Sequence, residues 1–297
     1  MKNKGVLYAI GAHMVWGVIP VYFKALHAVP SLQILFHRVA WSFVTLAVVL
    51  WLRREWAPFK AATGSWKVVG IYGLAAVLLA INWLVYVWSV NAGHVVDASL
   101  GYFINPLVSV ALGVLLLREK LRPMQWLPVG LAAAGVLYLT VQFGALPWIA
   151  LVLAFSFGFY GLLKKVAPLG ALHGLSLETA LLFLPAVGYL AVLEVQGRGA
   201  FGHVDWVTSL LLVLVGIVTV LPLLLFAGAV RSIPLSLAGL VQFVAPTGQF
   251  LLGVLLYGEP FDHTRLIGFG IIWIALLIFT LEGFAERRRA TLAIEAL

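Results

Sequence analysis

Residues 105–121 read NPLVSVALGVLLLREKL, and residues 245–261 read APTGQFLLGVLLYGEPF. Both stretches carry a proline (Pro106, Pro246), then LGVLL, then a glutamate at the same offset (Glu119, Glu259). The shift is 140 residues in a chain of 297, close to half its length. The register extends without a gap from Val95/Leu235 to Thr140/Thr280, with 13 of 46 positions identical. Leucine matches carry little weight in so apolar a chain. Pro106/Pro246, Gly113/Gly253, Glu119/Glu259 and Gly130/Gly270 carry more. A shift of 141 sets Trp16-Gly17 on Phe157-Gly158 and Lys24 on Lys165, so the duplication covers the whole chain.

Hydrophobic residues make up 63% of the chain and charged residues only 10%. Mean hydropathy is +1.07. A water-soluble domain carries roughly 25% charged residues, so this chain is read as an integral membrane protein. Long unbroken apolar runs point to helices rather than the short alternating segments of a membrane barrel. A helix needs about 20 residues to cross the hydrocarbon layer. Ten segments qualify: 5–24, 31–52, 67–90, 97–117, 125–142, 147–163, 173–194, 206–230, 235–257 and 264–284. Lys2 and Lys4 before an apolar stretch imitate a signal peptide, but the stretch runs to about Phe23, beyond the 7–15 residues of a signal core. It is read as the first span.

Lysine and arginine in short loops set orientation. With the N-terminus in the cytoplasm, 15 basic residues fall on that side and 3 (Lys24, Arg198, Arg265) on the other, with Arg38 inside a span. Both termini are therefore expected in the cytoplasm. Five spans per repeat, an odd number, force the second copy into the membrane upside down. The expected architecture is all-α, with ten transmembrane helices as two inverted-topology repeats over 1–144 and 145–285 and a short basic cytoplasmic tail over 286–297. Such repeats are typical of secondary transporters, whose sites lie near the midplane between the halves. Glu119 and Glu259 are read as helix-end or loop partners.

Ionisable groups inside spans mark partners or cavities. His37 and Arg38 lie about two turns into the second span, and Glu178 is the repeat equivalent of His37 in the seventh. Glu178 is expected to pair with His37 or Arg38, as a coupling or inter-repeat pair. His13 is read as a packing residue. Asn82, Tyr86 and Ser89 share one helix face. Tyr102 and Asn105 precede Pro106, Thr219 precedes Pro222, and Gln242 and Gln249 flank Pro246. Proline frees a carbonyl and bends a span, so the matched prolines of spans four and nine suggest paired bends beside a cavity. Trp51, Trp56, Trp66, Trp126, Trp148 and Trp206 fit the interfacial aromatic belt, whereas Trp16, Trp83, Trp88 and Tyr160 lie deeper. Gly130 and Ala134 permit close helix approach, within the chain or in a homodimer.

The net charge of +8 does not point to nucleic acid, because the charges sit between apolar runs and at the tail. There is no cysteine, and no P-loop, HExxH or Gly-x-Ser-x-Gly motif, so neither an enzyme nor a bound cofactor or metal is expected.

Together WGVIPVYFKAL, FHRVAWS, NWLVYVWSVNAGHVVDASLGYFINPLVSVALG, SFGFYGLLKK, GLSLET and APTGQFLLGVLLYGEPF resemble the RarD-like branch of EamA-domain permeases, in the drug/metabolite transporter superfamily. The resemblance implies ten helices in two inverted five-helix repeats, around a cavity lined mainly by spans 3, 4, 8 and 9. It also implies export of amino acids, metabolites or drugs. Relatives usually carry glutamate four residues before the His-Arg pair, where this chain has Gln33, which weakens a proton-coupling role at that place. The expected function is a secondary-active exporter of a small amphipathic or aromatic solute, in the plasma membrane (the inner membrane of a Gram-negative bacterium), with protons as the candidate coupling ion. Trp16, Asn82, Tyr86, Tyr102, Asn105, Tyr160, Thr219 and Gln242 are the expected substrate contacts. The alternative is a lipid or lipid-linked precursor translocase, against which the scarcity of intramembrane arginine argues.

Overall fold

A computed structural model describes residues 2–91, 95–143, 148–256 and 263–295. Glu259 lies outside the described residues. Twelve α-helices follow one another there: α1 (Lys2–Ala25), α2 (Ser31–Leu52), α3 (Trp56–Ala62), α4 (Trp66–Asn91), α5 (Val95–Leu115), α6 (Trp126–Phe143), α7 (Trp148–Val166), α8 (Ala171–Val195), α9 (Trp206–Ser232), α10 (Leu235–Val241), α11 (Val244–Leu255) and α12 (His263–Glu295). No strand occurs among the described residues. Eight of these helices (α1, α2, α4, α6, α7, α8, α9 and α12) are long and apolar enough to cross a membrane, and α5 contributes a shorter apolar run. With no water in the bilayer core, each backbone N–H and C=O must be paired within its own helix. The chain is a multi-pass, all-helical membrane protein.

Three details differ from the sequence expectation. The connection after α2 contains the short helix α3. The basic tail, set apart from the last span at 286, continues α12 to Glu295. The ninth span is two helices, α10 and α11, parted at Gln242 and Phe243. Pro246 explains the break. It has no N–H for the carbonyl of Gln242, four residues earlier, and its ring crowds that carbonyl. The carbonyl accepts instead from Ala245 N at 3.2 Å, a tighter turn. The matching proline of span four does not break its helix: α5 runs on through Pro106.

The two halves pack by exchange of equivalent partners. Helix α1 packs on α9 and α11, while α7, its counterpart by the 141-residue shift, packs on α4 and α5. Helix α2 meets α9, and α8 meets α4. Three pairs join counterparts directly: α2 with α8, α5 with α10, and α6 with α12. Close approach needs glycine at two of these crossings. A Cβ on Gly216 of α9 would lie 2.4 Å from the Trp41 backbone of α2, and one on Gly239 of α10 would lie 2.8 Å from the Pro106 carbonyl of α5. Outward positions are apolar, as lipid contact allows. Trp51, Trp66, Trp126, Trp148 and Trp206 stand exposed at helix ends, where aromatic side chains favour the membrane interface. Gly130 has open space around it, whereas Gly135 is the glycine of α6 packed against Ile272 of α12.

The repeated phrase has a visible structural use in its first copy. Past Gly113 the chain turns through Arg118, at φ 54°, and returns over the helix end. Glu119 then accepts from Leu235 N (2.7 Å), Ser236 N (2.9 Å) and the Ser236 hydroxyl (2.7 Å). A carboxylate of one half thus caps the start of α10 in the other, where free N–H groups and the helix dipole favour negative charge. Lys165 stands 3.6 Å away. Burial raises the Glu119 carboxyl, but the bonds from Ser236 and Leu235 and the Lys165 ammonium outweigh it and hold it below the usual glutamate value.

Candidate functional site

A cavity of about 70 Å³ lies between the two halves. Trp16 and His13 of α1, Arg38 of α2, and Asn82, Trp83 and Tyr86 of α4 form one part of its wall. Tyr102 and Asn105 of α5, Phe157 of α7, Thr219 of α9, and Gln242 and Gln249 at the helix break complete it. The space suits a few waters.

Seven of the eight expected contacts (Trp16, Asn82, Tyr86, Tyr102, Asn105, Thr219 and Gln242) meet at this cavity. The helix break positions the last of them. Gln242 caps α10, freed from a straight helix by Pro246, and its Oε1 accepts from Asn105 Nδ2 at 2.7 Å. Gln242 Nε2 donates to Ser109 Oγ at 3.1 Å, so one side chain joins α5 to the break. Asn105 Oδ1 has no partner among the described residues. Asn82 donates to the Leu153 carbonyl (2.9 Å) and to Ser156 Oγ (3.0 Å), which ties α4 to α7 as well as facing the cavity. Tyr86 and Tyr102 meet edge to face, with ring centres 5.6 Å apart.

Tyr160 does not belong to this wall, contrary to expectation. It is fully buried behind Phe157 and Phe226, and its hydroxyl donates to Glu178 at 3.1 Å. The expected pairing of Glu178 with His37 or Arg38 is also overturned. Glu178 accepts from Lys164 Nζ at 2.7 Å, with 1% and 3% of the two side chains exposed. The physical reason is register. Helices α2 and α8 run antiparallel, with Phe43 on Phe183 and Phe36 on Tyr189. That register sets Glu178 near Ala47, about ten residues and ~15 Å along the helix from His37. Equivalent positions in the two repeats meet only near the pseudo-axis, and these lie away from it.

His37 instead faces a second cavity of about 330 Å³, with Gln33, Val187, Glu194 and Phe201. Its Nδ1 has no partner among the described residues. Gln33 donates to the Arg198 carbonyl (2.8 Å) and accepts from Ala200 N (2.9 Å), clamping the loop after α8 onto α2. Arg38, by contrast, reaches the central cavity. Its Nε donates to Thr219 Oγ1 at 3.2 Å, and its guanidinium carbon lies 4.4 Å from the Trp83 ring centre and 5.1 Å from that of Phe23.

Sequence reading missed His13 and Phe157 as wall residues, and it named Gln249 beside Pro246 without counting it among the contacts. His13 lies edge-on to Trp16 at 5.0 Å, and its Nδ1 is 2.7 Å from the Ala9 carbonyl, so that nitrogen carries the proton. Gln249 donates to the Trp16 carbonyl at 3.0 Å. The available signal for Phe157 was its repeat equivalence to Trp16, and the two rings indeed touch at 5.5 Å. The connection between α7 and α8 is short, and it brings Lys164 within reach of Glu178.

The EamA-like transporter family model matches residues 3–141 and again 146–281. An uncharacterized transporter of Vibrio cholerae is 47% identical over 281 residues, covering 95% of this chain and 93% of its own. Protein RarD of Streptomyces exfoliatus is 44% identical over 295 residues, covering 99% and 94%. One solved crystal structure has the same fold, with a TM-score of 0.69 over 93% of this chain and 97% of its own at 18% identity. With both halves matched and such relatives along nearly its full length, the chain belongs to the EamA-like transporter family, as a RarD-like permease of the drug/metabolite type.

Proposed function

We infer that this permease is a secondary exporter that carries a small amphipathic or aromatic metabolite or drug by alternating access. The observation that carries this reading is the cavity between the halves, walled by aromatic rings and by the amides of Asn82, Asn105 and Gln242. Mostly apolar walls with a few placed polar groups suit a small organic ligand. Family membership supports the same reading. The exchange of helix partners between halves fits a two-fold relation, and five spans per repeat make that relation inverted across the membrane. The permease then has ten spans, with α10 and α11 forming one, in repeats over 1–144 and 145–285 and a tail over 286–297. Both termini face the cytoplasm, as the 15-to-3 basic bias requires. Protons are the coupling ion to test first. A homodimer through α6 would use Gly130 and Ala134.

Counterflow in proteoliposomes with a metabolite panel, with and without a pH gradient, tests the reading. At least one amphipathic solute should exchange saturably. Gln242→Leu, which removes the bonds to Asn105 and Ser109, should cut that flux about tenfold at unchanged insertion. Unaltered flux in this variant would take Gln242 out of the path. Scrambling of labelled phospholipid by the wild type, with no solute exchange, would favour a lipid translocase.

A further inference from the structure

Arg38 stands in the central cavity with most of its hydrogen-bonding capacity unspent. A guanidinium has five N–H donors, and among the described residues Arg38 uses only Nε, toward Thr219. Among the described residues no carboxylate forms an ion pair with it. No acidic residue lines this cavity among the described residues, and the carboxylates of neighbouring helices have other partners: Glu178 has Lys164, Glu119 the start of α10, and Glu194 has His203. The ring contacts to Trp83 and Phe23 favour a cation, but rings do not satisfy in-plane N–H donors. The terminal nitrogens are not among the sealed, partnerless atoms of the interior, and Arg38 lines the cavity. Its open edge therefore faces that space.

A charged arginine at membrane depth is costly and usually faces a partner or a cavity. Packing alone would not need it, since methionine or leucine fills such a position. The planar fork matches a planar two-oxygen anion, which it holds with two parallel bonds. Around it stand Trp16, Trp83, Tyr86, Tyr102 and Phe157, a largely aromatic wall. We propose that Arg38 is the anion-binding group of this cavity, and that the solute carries a carboxylate beside an aromatic or apolar body. This assignment rests on the transporter reading and narrows its substrate class.

Matched acid and amide pairs test it on the full-length protein in detergent. Benzoate, phenylacetate and 3-phenylpropionate are each compared with the corresponding amide, reading affinity from ligand-dependent thermal stabilisation. Charge-assisted bonds to two oxygens should favour the acids by about tenfold or more. Arg38→Gln should abolish the preference, and Arg38→Lys, which keeps the charge but not the fork, should retain only part of it. If Arg38→Gln does not fold, the acid-to-amide ratio of the wild type still decides. Equal affinity for acids and amides would overturn the proposal. So would stronger stabilisation by phenyl phosphate, by a short-chain phosphatidate or by inorganic chloride, each of which points to another anion class. Counterflow separates this result from the broader reading. Exchange of neutral or cationic solutes with no acid preference sinks the Arg38 assignment and leaves transport standing. Acid-selective binding without exchange of any solute does the reverse.

Discussion

Lys164 and Glu178 face each other at 2.7 Å, almost wholly out of solvent, with Tyr160 completing the carboxylate's partners. Two opposite charges so buried are held by each other, and removing one leaves the other stranded. Glu178→Gln should lower stability by about 3–5 kcal/mol, whereas Lys164→Met combined with Glu178→Leu should recover most of the loss, because a buried pair often exchanges for apolar packing at little cost. Unfolding in detergent measures both. A double variant as unstable as the single one would show that something other than charge pairing holds this corner. These side chains also mark how far the sequence could be read. A carboxylate, a histidine and an arginine inside apolar spans declare themselves by type. Their partners do not, because repeat equivalence relates Glu178 to His37 without bringing them into contact. The stripe of Asn82 and Tyr86 on one face of α4 was legible, since helical periodicity alone aligns it.

Helices were the most legible level, because the length and apolarity of each run carry the information. The reading of 31–52 as a span coincides with α2, Ser31–Leu52. The break between α10 and α11 was only half legible. Pro106 and Pro246 are chemically alike, yet α5 continues and the ninth span parts. The approach of the two elements explains why the break matters. Gly239, three residues before Gln242, lies against the Pro106 carbonyl and Ser109, so α10 touches α5 where the Asn105–Gln242 bond forms. Gly239→Ala would place a Cβ 2.8 Å from that carbonyl. Backbone cannot yield as a side chain tip can, and overpacking of this kind costs about 1–3 kcal/mol. The expected outcome is a protein that inserts but transports at least severalfold less, since α10 must shift and carry Gln242 away from Asn105. Purified variant protein with normal flux would show that this crossing tolerates the shift.

In the assembled bundle, the two halves are fastened to each other at both ends of the cavity. Successive helices alternate in direction, so the end of α5 and the start of α2 lie at opposite ends of the bundle. Glu119 caps α10 at one end, and Gln33 holds the loop carrying Arg198 and Ala200 at the other. Under the alternating-access reading proposed above, one fastening releases while the other holds, and here both are formed. Releasing either should therefore bias the protein toward opening on that side. A change of 1–2 kcal/mol in such an equilibrium shifts populations about 5–30-fold. The absence of native cysteine makes the test clean. Leu223→Cys places one thiol in the cavity wall, and a membrane-impermeant maleimide is applied to vesicles of either orientation. Adding Glu119→Ala should raise labelling from the side of the α5–α6 connection, and adding Gln33→Ala should raise it from the other. Acid should mimic the first change only in part and only at low pH. Because the folded carboxyl lies below the usual glutamate value, its stabilisation is present at neutral pH and is lost as pH falls through that depressed value. Labelling that rose from the same side with both variants, or that rose between pH 8 and 6 in the protein that keeps Glu119, would contradict a pair of fastenings of this kind.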